Sequence, residues 1–505
     1  MKQFSIFIAL CVCAITSAQN SNDVLRYSQD NLQGTARYQA MGGAFGAVGG
    51  DLSALNTNPA GSAVFAHGSF TITGAMYNTG NEANYFGTTT ENINTDFNIN
   101  QVGGVMVFNN TKDNSGWDRF SIAFNYDIVS NFNDQVQIQG TSNQGIDNYF
   151  LNFAQGLPLG NILLQDGEFI EDAYLDIGSN SNSQNPFADQ QAFLGYFGGV
   201  IDPVSMDESE TDYIRNAQYS NVNQEFTRNT FGYNSKYTLN AAARYNQKLH
   251  LGASLNFHGV QYDQIDLFRE DRYDANSEVQ FVTFDNFLNT QGAGFSFSAG
   301  AIYKINEMVR IGGSYQSPTW YRLEDTFSQR INSDLADDDI NFINFDIVNV
   351  FDSYTIKTPA KLTGSLALVF GKTGLLSVDY GYQDMSTAKL GPSSDGAFSN
   401  VNTQIADSFA GVSTVRVGGE YRIARVSLRA GYRYEQSPYE NNDLIGDLNG
   451  ISAGVGIDFG GSRLDLAFNR SQQETALSLF DTGVTTPATI DRINTYLTAG
   501  YTFNF

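Results

Sequence analysis

The chain has 505 residues, of which 16% are charged and 13% are aromatic, and it contains 49 glycines. So little charge with so many aromatic residues is unusual for a soluble enzyme and favours an all-β chain with an aromatic exterior. The formal net charge of −25 argues against nucleic acid as a partner.

Residues 1–18 have the pattern of a secretory signal peptide. An apolar run follows a basic residue near the start, and small residues precede a cleavage site that we place between Ala18 and Gln19. Cys11 and Cys13 both lie within this segment, so we expect no disulfide in the mature chain. No later apolar run is long enough for a membrane helix, which leaves a closed β-barrel as the structure that could span a membrane.

Residues 19–67 form a glycine-rich segment without strand-like alternation. Its centre reads AMGGAFGAVGGDLSALNTNPAG, from Ala40 to Gly61. No lysine follows the glycines, which excludes a Walker phosphate-binding loop. Bulky residues such as Met41 and Phe45 are untypical of a flexible linker. Small residues interleaved with apolar ones instead favour backbone packed closely against a wall.

From residue 68 onward, segments of about ten residues alternate between apolar and polar side chains, as in transmembrane barrel strands. In the last segment Leu497, Ala499, Tyr501 and Phe503 share one side. We count about 14 such segments, the first three near residues 68–78, 98–108 and 119–129. Short connections alternate with long ones, among them 79–97 and the largest, 130–225.

A soluble β-sandwich is the alternative, because its strands also alternate. Here, however, charges of both signs, such as Arg416, Glu420 and Arg429, fall on the side opposite the apolar residues, which fits a polar lumen. We therefore predict an all-β fold in which residues 68–505 form an antiparallel transmembrane β-barrel of about 14 strands. Such a lumen would leak unless filled, so residues 19–67 are predicted to be an N-terminal plug inside it.

The stretch MGGAFGAVGGDLSALNTNPAG resembles the hatch of the FadL/TodX family of outer-membrane channels for long-chain fatty acids and other hydrophobic compounds. The strand number, the GGSYQSP segment of Gly312 to Pro318 and the C-terminal aromatic residue add to the resemblance. By this resemblance, Asn58, Pro59, Ala60 and Gly61 form the gating hatch turn.

The resemblance implies passive transport in the outer membrane of a Gram-negative bacterium. Hydrophobic, fatty-acid-like compounds would bind in external loops, pass to a pocket in the lumen, and leave sideways through a gap in the wall. It also implies a monomer without enzymatic activity, cofactor or metal. Its partners would be its substrate, outer-membrane lipid and the barrel-assembly machinery.

The 130–225 loop contains two predicted amphipathic helices. Asp147 is expected to cap the first, and Asn185-Pro186 to begin the second. Six side chains are candidates for capturing a hydrophobic substrate: Tyr149, Phe150, Phe153, Phe193, Leu194 and Phe197. The alternative is that these helices pack on each other and merely cover the mouth of the barrel.

Inward-facing cations could contact an anionic head group in the lumen, and the candidates are Arg310, Arg416, Arg429 and Arg433. They could instead pair with Asp458 and Asp465. His250 and His258 share an inward side with Ser254, but their spacing alone does not make a catalytic site, and lining the lumen is the simpler interpretation. Four aspartates could bind a hard cation, but they lack a calcium-binding loop pattern and a solvated acidic loop is the simpler interpretation: Asp334, Asp337, Asp338 and Asp339.

Two other functions remain open. The barrel could be a structural or shuttle component of a secretion or assembly complex, since its long loops allow such contacts. An outer-membrane hydrolase is a further alternative, because a barrel can carry a serine and histidine site.

Overall fold

The computed structural model describes residues 21–29, 31–110, 116–180, 183, 185–393, 396–441 and 444–505. The predicted signal peptide, residues 1–18, and its cleavage site lie outside these ranges. Fourteen antiparallel strands form one closed barrel, with an N-terminal region of short helices and loops. This confirms the predicted fold class. Among the described residues, no helix is long and apolar enough to cross a membrane.

Four of the fourteen strands are interrupted and consist of two segments each. The strands are β1 (Ser69–Tyr85), β2 (Thr88–Asn109), β3 (Trp117–Asn131 and Asp134–Ser142), β4 (Val222–Tyr245), β5 (Leu249–Asp271), β6 (Phe281–Lys304), β7 (Val309–Gln316 and Trp320–Ser333), β8 (Tyr354–Lys357 and Lys361–Phe370), β9 (Gly374–Asp384 and Lys389–Gly391), β10 (Gly411–Ile423), β11 (Val426–Glu435), β12 (Leu448–Asp458), β13 (Ser462–Ser478) and β14 (Pro487–Asn504). Each strand pairs with the next, and β1 pairs with β14 from Ser69 opposite Asn504 to Asn84 opposite Thr489, which closes the barrel.

The alternation of side chains is clear in β11. Leu428 and Tyr432 point outward and are 48% and 40% exposed, whereas Arg429 and Arg433 point inward and are each 5% exposed. Since successive strand residues face opposite sides, the apolar residues cover the outside of the barrel and the charged ones line its lumen. This arrangement rules out the β-sandwich, whose apolar face would be enclosed between two sheets.

Several strands are longer than the sequence predicts. β1 and β2 continue through the predicted loop 79–97 and are joined by a two-residue turn at 86–87. This part of the hairpin is polar and carries cross-strand hydrogen bonds, such as Asn78 Nδ2 to Thr95 Oγ1 at 2.9 Å. Apolar alternation therefore fails to detect it. For the same reason the largest connection runs from 143 to 221, inside the predicted range 130–225.

The helices lie at the N-terminus and in the long connections, except for one 3-10 helix between the two segments of β9. They are α1 (Ser21–Ser28), α2 (Ala36–Ala40), α3 (Asp147–Ala154), α4 (Ile170–Gly178), α5 (Pro186–Phe197) and α6 (Gly396–Ser408), with 3-10 helices at Leu52–Asn56, Pro59–Val64, Leu159–Asn161, Asp338–Phe342 and Met385–Thr387. Two short strands, Ile201–Pro203 and Tyr213–Arg215, form a separate hairpin, and Asn349–Val350 pairs with β7.

The two ends of the barrel differ. The short connections after β2, β4, β6, β8, β10 and β12, and the outer ends of β1 and β14, lie at what we call the turn end; the long connections, together with the two-residue turn at 86–87, lie at the loop end. We call the described residues between 21 and 67 the hatch, and the described residues between 143 and 221 the cap. The hatch lies in the lumen, where its 3-10 helix Pro59–Val64 contacts β3, β4, β5 and β6.

Candidate functional site: the hatch, the lumen cavities and the wall

The hatch turns several times within a short sequence, and local side-chain caps explain these turns. Thr35 caps α2 by accepting from Tyr38 N at 3.2 Å, and Asp51 caps the helix Leu52–Asn56 by accepting from Ser53 N at 3.0 Å. Gly42 and Gly43 adopt positive φ angles of 61° and 76°, which glycine reaches without steric cost. The glycine-rich composition therefore serves folding within a confined space.

Asn58 connects two parts of the hatch with each other and with the wall. Its Nδ2 donates to the carbonyl oxygens of Gly46 and Ala301 at 2.8 and 3.0 Å, and its Oδ1 accepts from Ala60 N at 3.1 Å. Its 1% exposure means that water cannot replace these bonds. The carbonyl of the next residue, Pro59, accepts from Asn240 Nδ2 at 2.9 Å. The turn through Ala60 and Gly61 is also buried; Ala60 lies beside Gly252 of the wall, whereas Gly61 packs against Ala54 and Gly49 of the hatch.

The wall accommodates the hatch through inward-facing glycines that sequence reasoning missed. A Cβ at Gly300 would lie 2.1 Å from Asn58 Oδ1, and one at Gly252 would lie 2.4 Å from the Pro59 carbonyl oxygen. Glycines on four other strands contact the hatch backbone or Ala40 in the same way: Gly312, Gly418, Gly431 and Gly454. These contacts could have been predicted from glycines at inward strand positions, because a glycine within a strand often marks a close approach of another backbone.

A buried ionic network anchors α2. Arg37 Nε donates to Glu420 Oε2 at 2.9 Å, and Arg429 donates to Glu420 and Asp465, each at 2.7 Å. Since both carboxylates are satisfied by arginines, the network holds the hatch to β10 and does not present a free cation to the lumen. The predicted pairing of Arg429 with Asp465 is therefore present, while Asp458 instead accepts from Gly460 N.

The other predicted head-group arginines have different surroundings. Arg433 donates to Glu435 at 2.6 Å, and Arg310 donates to the carbonyl oxygen of Val48 at 3.2 Å. Arg416 lies beside Tyr38, whose hydroxyl accepts from it at 3.3 Å, and Arg416 also lines a cavity. Of the four candidates, Arg416 is thus the one that the structure places at a cavity.

Two adjoining cavities lie between the hatch and the wall. The larger has a volume of about 50 Å³ and is lined by three cations, Lys236, Lys361 and Arg416, and by Asp127. The smaller, of about 30 Å³, shares Lys236 and Lys361 with it. Sequence reasoning missed both lysines, although each occupies an inward position where a cation must meet the lumen.

The barrel wall is interrupted beside the larger cavity. Among the described residues of β2 and β3, backbone pairing ends at Gln101 opposite Asp127, although β2 continues on β1 and β3 continues on β4. The register of β3 also shifts between Ile128 and Ser130. Asp127, Ile128 and Val129 line the cavity, so the cavity and the interruption meet.

Side chains bridge this interruption in place of backbone bonds. Asp96 Oδ2 on β2 accepts from Asn131 Nδ2 at 3.1 Å and from Asn133 Nδ2 at 2.7 Å. Farther toward the loop end, Asn92 Nδ2 donates to Gln135 Oε1 at 2.6 Å. These bonds can break without disturbing either neighbouring ladder.

The predicted capture residues lie inside the cap. Tyr149, Phe150, Phe193 and Leu194 are buried, and Phe153 and Phe197 are partly buried. Their rings contact one another and the barrel mouth; for example, Phe150 lies 5.1 Å from Phe284 between ring centroids. The helices therefore pack on each other, as the alternative interpretation states, and these six side chains form no open groove in this structure.

The two predicted helix starts differ in outcome. Asn185 caps α5 by accepting from Ala188 N at 3.1 Å, as expected. Asp147 does not cap α3, because it is already inside the helix; it accepts from the Tyr219 hydroxyl at 2.6 Å and pairs with Arg215. Burial raises the pKa of Asp147, while Tyr219 and Arg215 act in the opposite direction.

The histidines and acidic residues have ordinary structural surroundings. His258 contacts the Tyr321 hydroxyl at 3.2 Å, and both His250 and Ser254 are buried facing the lumen. Asp337 accepts from Asp339 N at the start of a 3-10 helix. Within the described ranges, no group of three or more histidine, cysteine, aspartate or glutamate side chains could hold a metal ion.

Comparisons with known proteins identify the family. The family model for outer membrane protein transport proteins (OMPP1/FadL/TodX) matches residues 217–485. The crystal structure of a Pseudomonas aeruginosa FadL homologue is similar, with a TM-score of 0.55 at 12% identity over 94% of this chain and 99% of that chain. A deltaS2 mutant of the TodX monoaromatic hydrocarbon channel has a TM-score of 0.50 at 13% identity, over 94% and 99% of the two chains. The search of curated proteins finds no match. The chain belongs to the OMPP1/FadL/TodX family of outer-membrane transport proteins.

Proposed function

We propose that this protein is a passive, monomeric channel of a Gram-negative outer membrane that takes up hydrophobic compounds with an anionic head, such as long-chain fatty acids. The observation that carries the proposal is the cation-lined cavity at the interruption of the wall. Lys236, Lys361 and Arg416 line it together with Asp127, while Glu435 and Asp379 interact electrostatically with Lys361 and Arg416. A carboxylate would accept charge-assisted hydrogen bonds from these cations, which an uncharged hydrocarbon cannot do.

The interruption between β2 and β3 supports a sideways exit. An acyl chain that reached the cavity would lie beside Ile128 and Val129, where the wall lacks backbone bonds to β2. Leaving through this opening would deliver the apolar chain directly to lipid without crossing water. Asp96 and its two asparagine partners are the proposed closure of that opening.

The hatch is proposed to block the direct path toward the turn end. Asn58, Pro59, Ala60 and Gly61 would control its position, because this turn contacts β4, β5 and β6 at once. Capture by Tyr149, Phe150, Phe153, Phe193, Leu194 and Phe197 would require the cap to open. Their burial in the closed cap leaves that step a prediction.

The test is binding of labelled oleate to the purified protein. Lys236→Met and Lys361→Met should each weaken oleate binding by about tenfold or more, because a charge-assisted hydrogen bond contributes about 1.5–3 kcal/mol. Lys372→Met, in an exposed turn, is the matched control and should bind oleate as the parent does. Toluene binding should be unaffected by all three substitutions.

Equal oleate affinity in the lysine variants and their control would contradict the head-group role. A role in a secretion or assembly complex would be favoured by a different result, in which no hydrophobic compound binds and the protein co-purifies with large partners. The cation-lined cavity favours the channel, because a scaffold has no use for it.

A further inference from the structure

Four cations lie close together on the lumen side of the turn end, and we call them the basic cluster. They belong to β3, β4, β6 and β7, and are Arg119, Arg244, Lys304 and Arg310. The residue next to each of them in sequence has a large side chain exposed on the outside of the barrel: Phe120, Tyr245, Tyr303 and Ile311. Since successive strand residues face opposite sides, the four cations point into the lumen.

Strand register places these cations directly opposite one another. Arg119 faces Arg244 across β3 and β4, and Lys304 faces Arg310 across β6 and β7. Lys304 also interacts electrostatically with Arg244 and Arg119, so the two pairs form one group. Like charges directly opposite one another destabilise a sheet. The wall therefore carries an electrostatic cost here that its own folding does not explain.

Nearby carboxylates offset this charge only in part. Asp118 pairs with Arg244. Glu307, in the exposed turn between β6 and β7, interacts electrostatically with Lys304 and Arg310. Among the described residues, these two carboxylates act on the four cations, which leaves two positive charges in excess.

The hatch accounts for part of the hydrogen bonding of the cluster. Arg119 Nη1 donates to the carbonyl oxygen of Phe65 at 2.6 Å. Arg310 Nη1 donates to the carbonyl oxygen of Val48 at 3.2 Å. The Nε of Arg310, however, is buried and has no hydrogen-bond partner in the described part of the chain. Anchoring the hatch therefore explains one nitrogen atom of Arg310 but not its neighbour.

His250, on β5, lies between the two pairs of cations. It stands opposite Arg244 in register and interacts electrostatically with Lys304 and Arg310. It is 1% exposed, and its Nδ1 contacts the carbonyl oxygen of Ile302 at 3.4 Å, whereas its Nε2 is without a partner in the ranges that the structure describes. Buried polar atoms are normally paired, so Arg310 Nε and His250 Nε2 indicate a water, an ion or a ligand beside them.

A phosphate group matches the basic cluster in charge and in shape. It carries a charge of about −1.5 to −2 at neutral pH and three strong acceptor oxygens, whereas a carboxylate has a single charge and two oxygens. Guanidinium groups bind such oxygens in a planar, bidentate manner, and a lysine contributes a point charge. The charge of a phosphate group is therefore close to the excess that the carboxylates leave.

We propose that the basic cluster binds a phosphate group at the turn end of the lumen, from either a soluble phosphate or the head group of a phospholipid. Lys304, Arg310 and Arg244 are its principal contacts, and Arg119 lies at the edge of the site. None of the four lines either of the two cavities, so this site is separate from the one in the proposed function and does not depend on it.

Heat unfolding tests the site in protein that is purified in an uncharged detergent and freed of lipid. Inorganic phosphate should raise the unfolding temperature of the parent above that in chloride of equal ionic strength, because a ligand that binds the folded state stabilises it. Without phosphate, Lys304→Met should unfold at a higher temperature than the parent, because Arg310 no longer faces a like charge. The further increase on adding phosphate should be lost in this variant.

Two other variants are the controls. Lys372→Met removes a lysine from an exposed turn at the same end of the barrel and should behave as the parent does. Lys304→Arg keeps the charge and should keep the response to phosphate. The affinity for phosphate, measured by titration calorimetry, should fall about tenfold or more in Lys304→Met alone, because a charge-assisted hydrogen bond is lost.

A parallel titration with phosphatidylglycerol in the same detergent identifies the source of the phosphate group. Greater stabilisation by the lipid than by inorganic phosphate identifies a head group, and equal or smaller stabilisation identifies a soluble phosphate. If neither compound stabilises the parent, or if Lys304→Met responds to phosphate as the parent does, the inference is overturned.

Oleate binding separates this inference from the proposed function. Lys304→Met should bind oleate as the parent does. Weaker oleate binding in this variant would mean that the cluster belongs to the path of the substrate, and would overturn a separate site. If the parent binds no oleate but is stabilised by phosphate through Lys304, the proposed function fails and this inference stands.

Discussion

Asn58 of the hatch and Gly300 of the wall approach so closely that a Cβ at position 300 would lie 2.1 Å from Asn58 Oδ1. The contact fixes the hatch turn against β6 at a strand position where a larger side chain cannot fit. Asn58 belongs to the hatch motif that resembles the family. Gly300 belongs to no motif identified in the sequence.

Gly300→Ala is therefore expected to push the hatch turn off the wall. The barrel ladder does not depend on this contact, so the amount of heat-modifiable folded protein should stay near that of the parent. Entry of a small polar dye into protein-loaded vesicles should rise. Gly313→Ala, where an added Cβ meets nothing within 4 Å, is the control and should leave dye entry unchanged. Equal dye entry in both variants would contradict a fixed position for the turn.

Asn58→Ala removes the bonds from Nδ2 to Gly46 and Ala301 and leaves buried carbonyl groups without that donor. Loss of such partners costs about 1–3 kcal/mol, which should loosen the hatch without unfolding the barrel. Uptake of labelled oleate should change while folding yield does not. Pro59→Ala, which frees the φ angle of the same turn, should act in the same direction. Normal transport by both variants would remove the turn from the gating mechanism.

Arg37→Met should release α2 from β10. The carboxylate of Glu420 keeps Arg429 and Arg422 as partners, so the wall should remain intact. The free energy that holds the hatch in the lumen should fall by about 1.5–3 kcal/mol. The measurements are faster proteolysis of the hatch and more dye entry. Arg422→Met removes a cation from the same carboxylate without touching the hatch, and should affect neither measurement. A similar effect of both substitutions would mean that the network stabilises the wall alone.

Asp96→Ala should weaken the side-chain closure between β2 and β3. Asn131 and Asn133 lose their shared acceptor, whereas the backbone ladders on either side remain. If the interruption is the exit, transfer of labelled oleate from the protein to lipid should become severalfold faster, with equilibrium binding nearly unchanged. Glu91→Ala, an exposed change on the same strand, is the control. An unchanged transfer rate would place the exit elsewhere.

Alternation alone was enough to predict the barrel, because the lipid-facing side of strands such as β11 must be apolar along its length. It could not predict how far the strands extend beyond the membrane. There, pairs such as Asn78 and Thr95 stabilise the ladder with polar side chains on both faces. The outcome for β1 and β2 is a hairpin where the sequence predicts a long loop.

The candidate site was predicted less completely, for a different reason. Inward positions could be assigned, but whether Arg429 or Lys236 meets a cavity depends on which carboxylates lie opposite, and that depends on register. Arg429 pairs with Glu420 and Asp465, whereas Lys236 lines the cavity. The position of α1 depends on distant contacts with α6 and Tyr321, which no local pattern encodes.

The pairing of β1 with β14 also sets an order of events during assembly. Ser69 and Asn504, whose side chains share a hydrogen bond, are separated by 435 residues, so the seam can form only after nearly the whole chain has been synthesised. Contacts so distant in sequence are formed slowly. The hatch precedes β1 directly, and it must already lie inside the curved sheet when the seam closes, or else thread in afterwards past the turn end. If the hatch is enclosed as the seam closes, a delay in seam closure is also a delay in trapping the hatch, and the two events share one rate; threading in afterwards would give two rates.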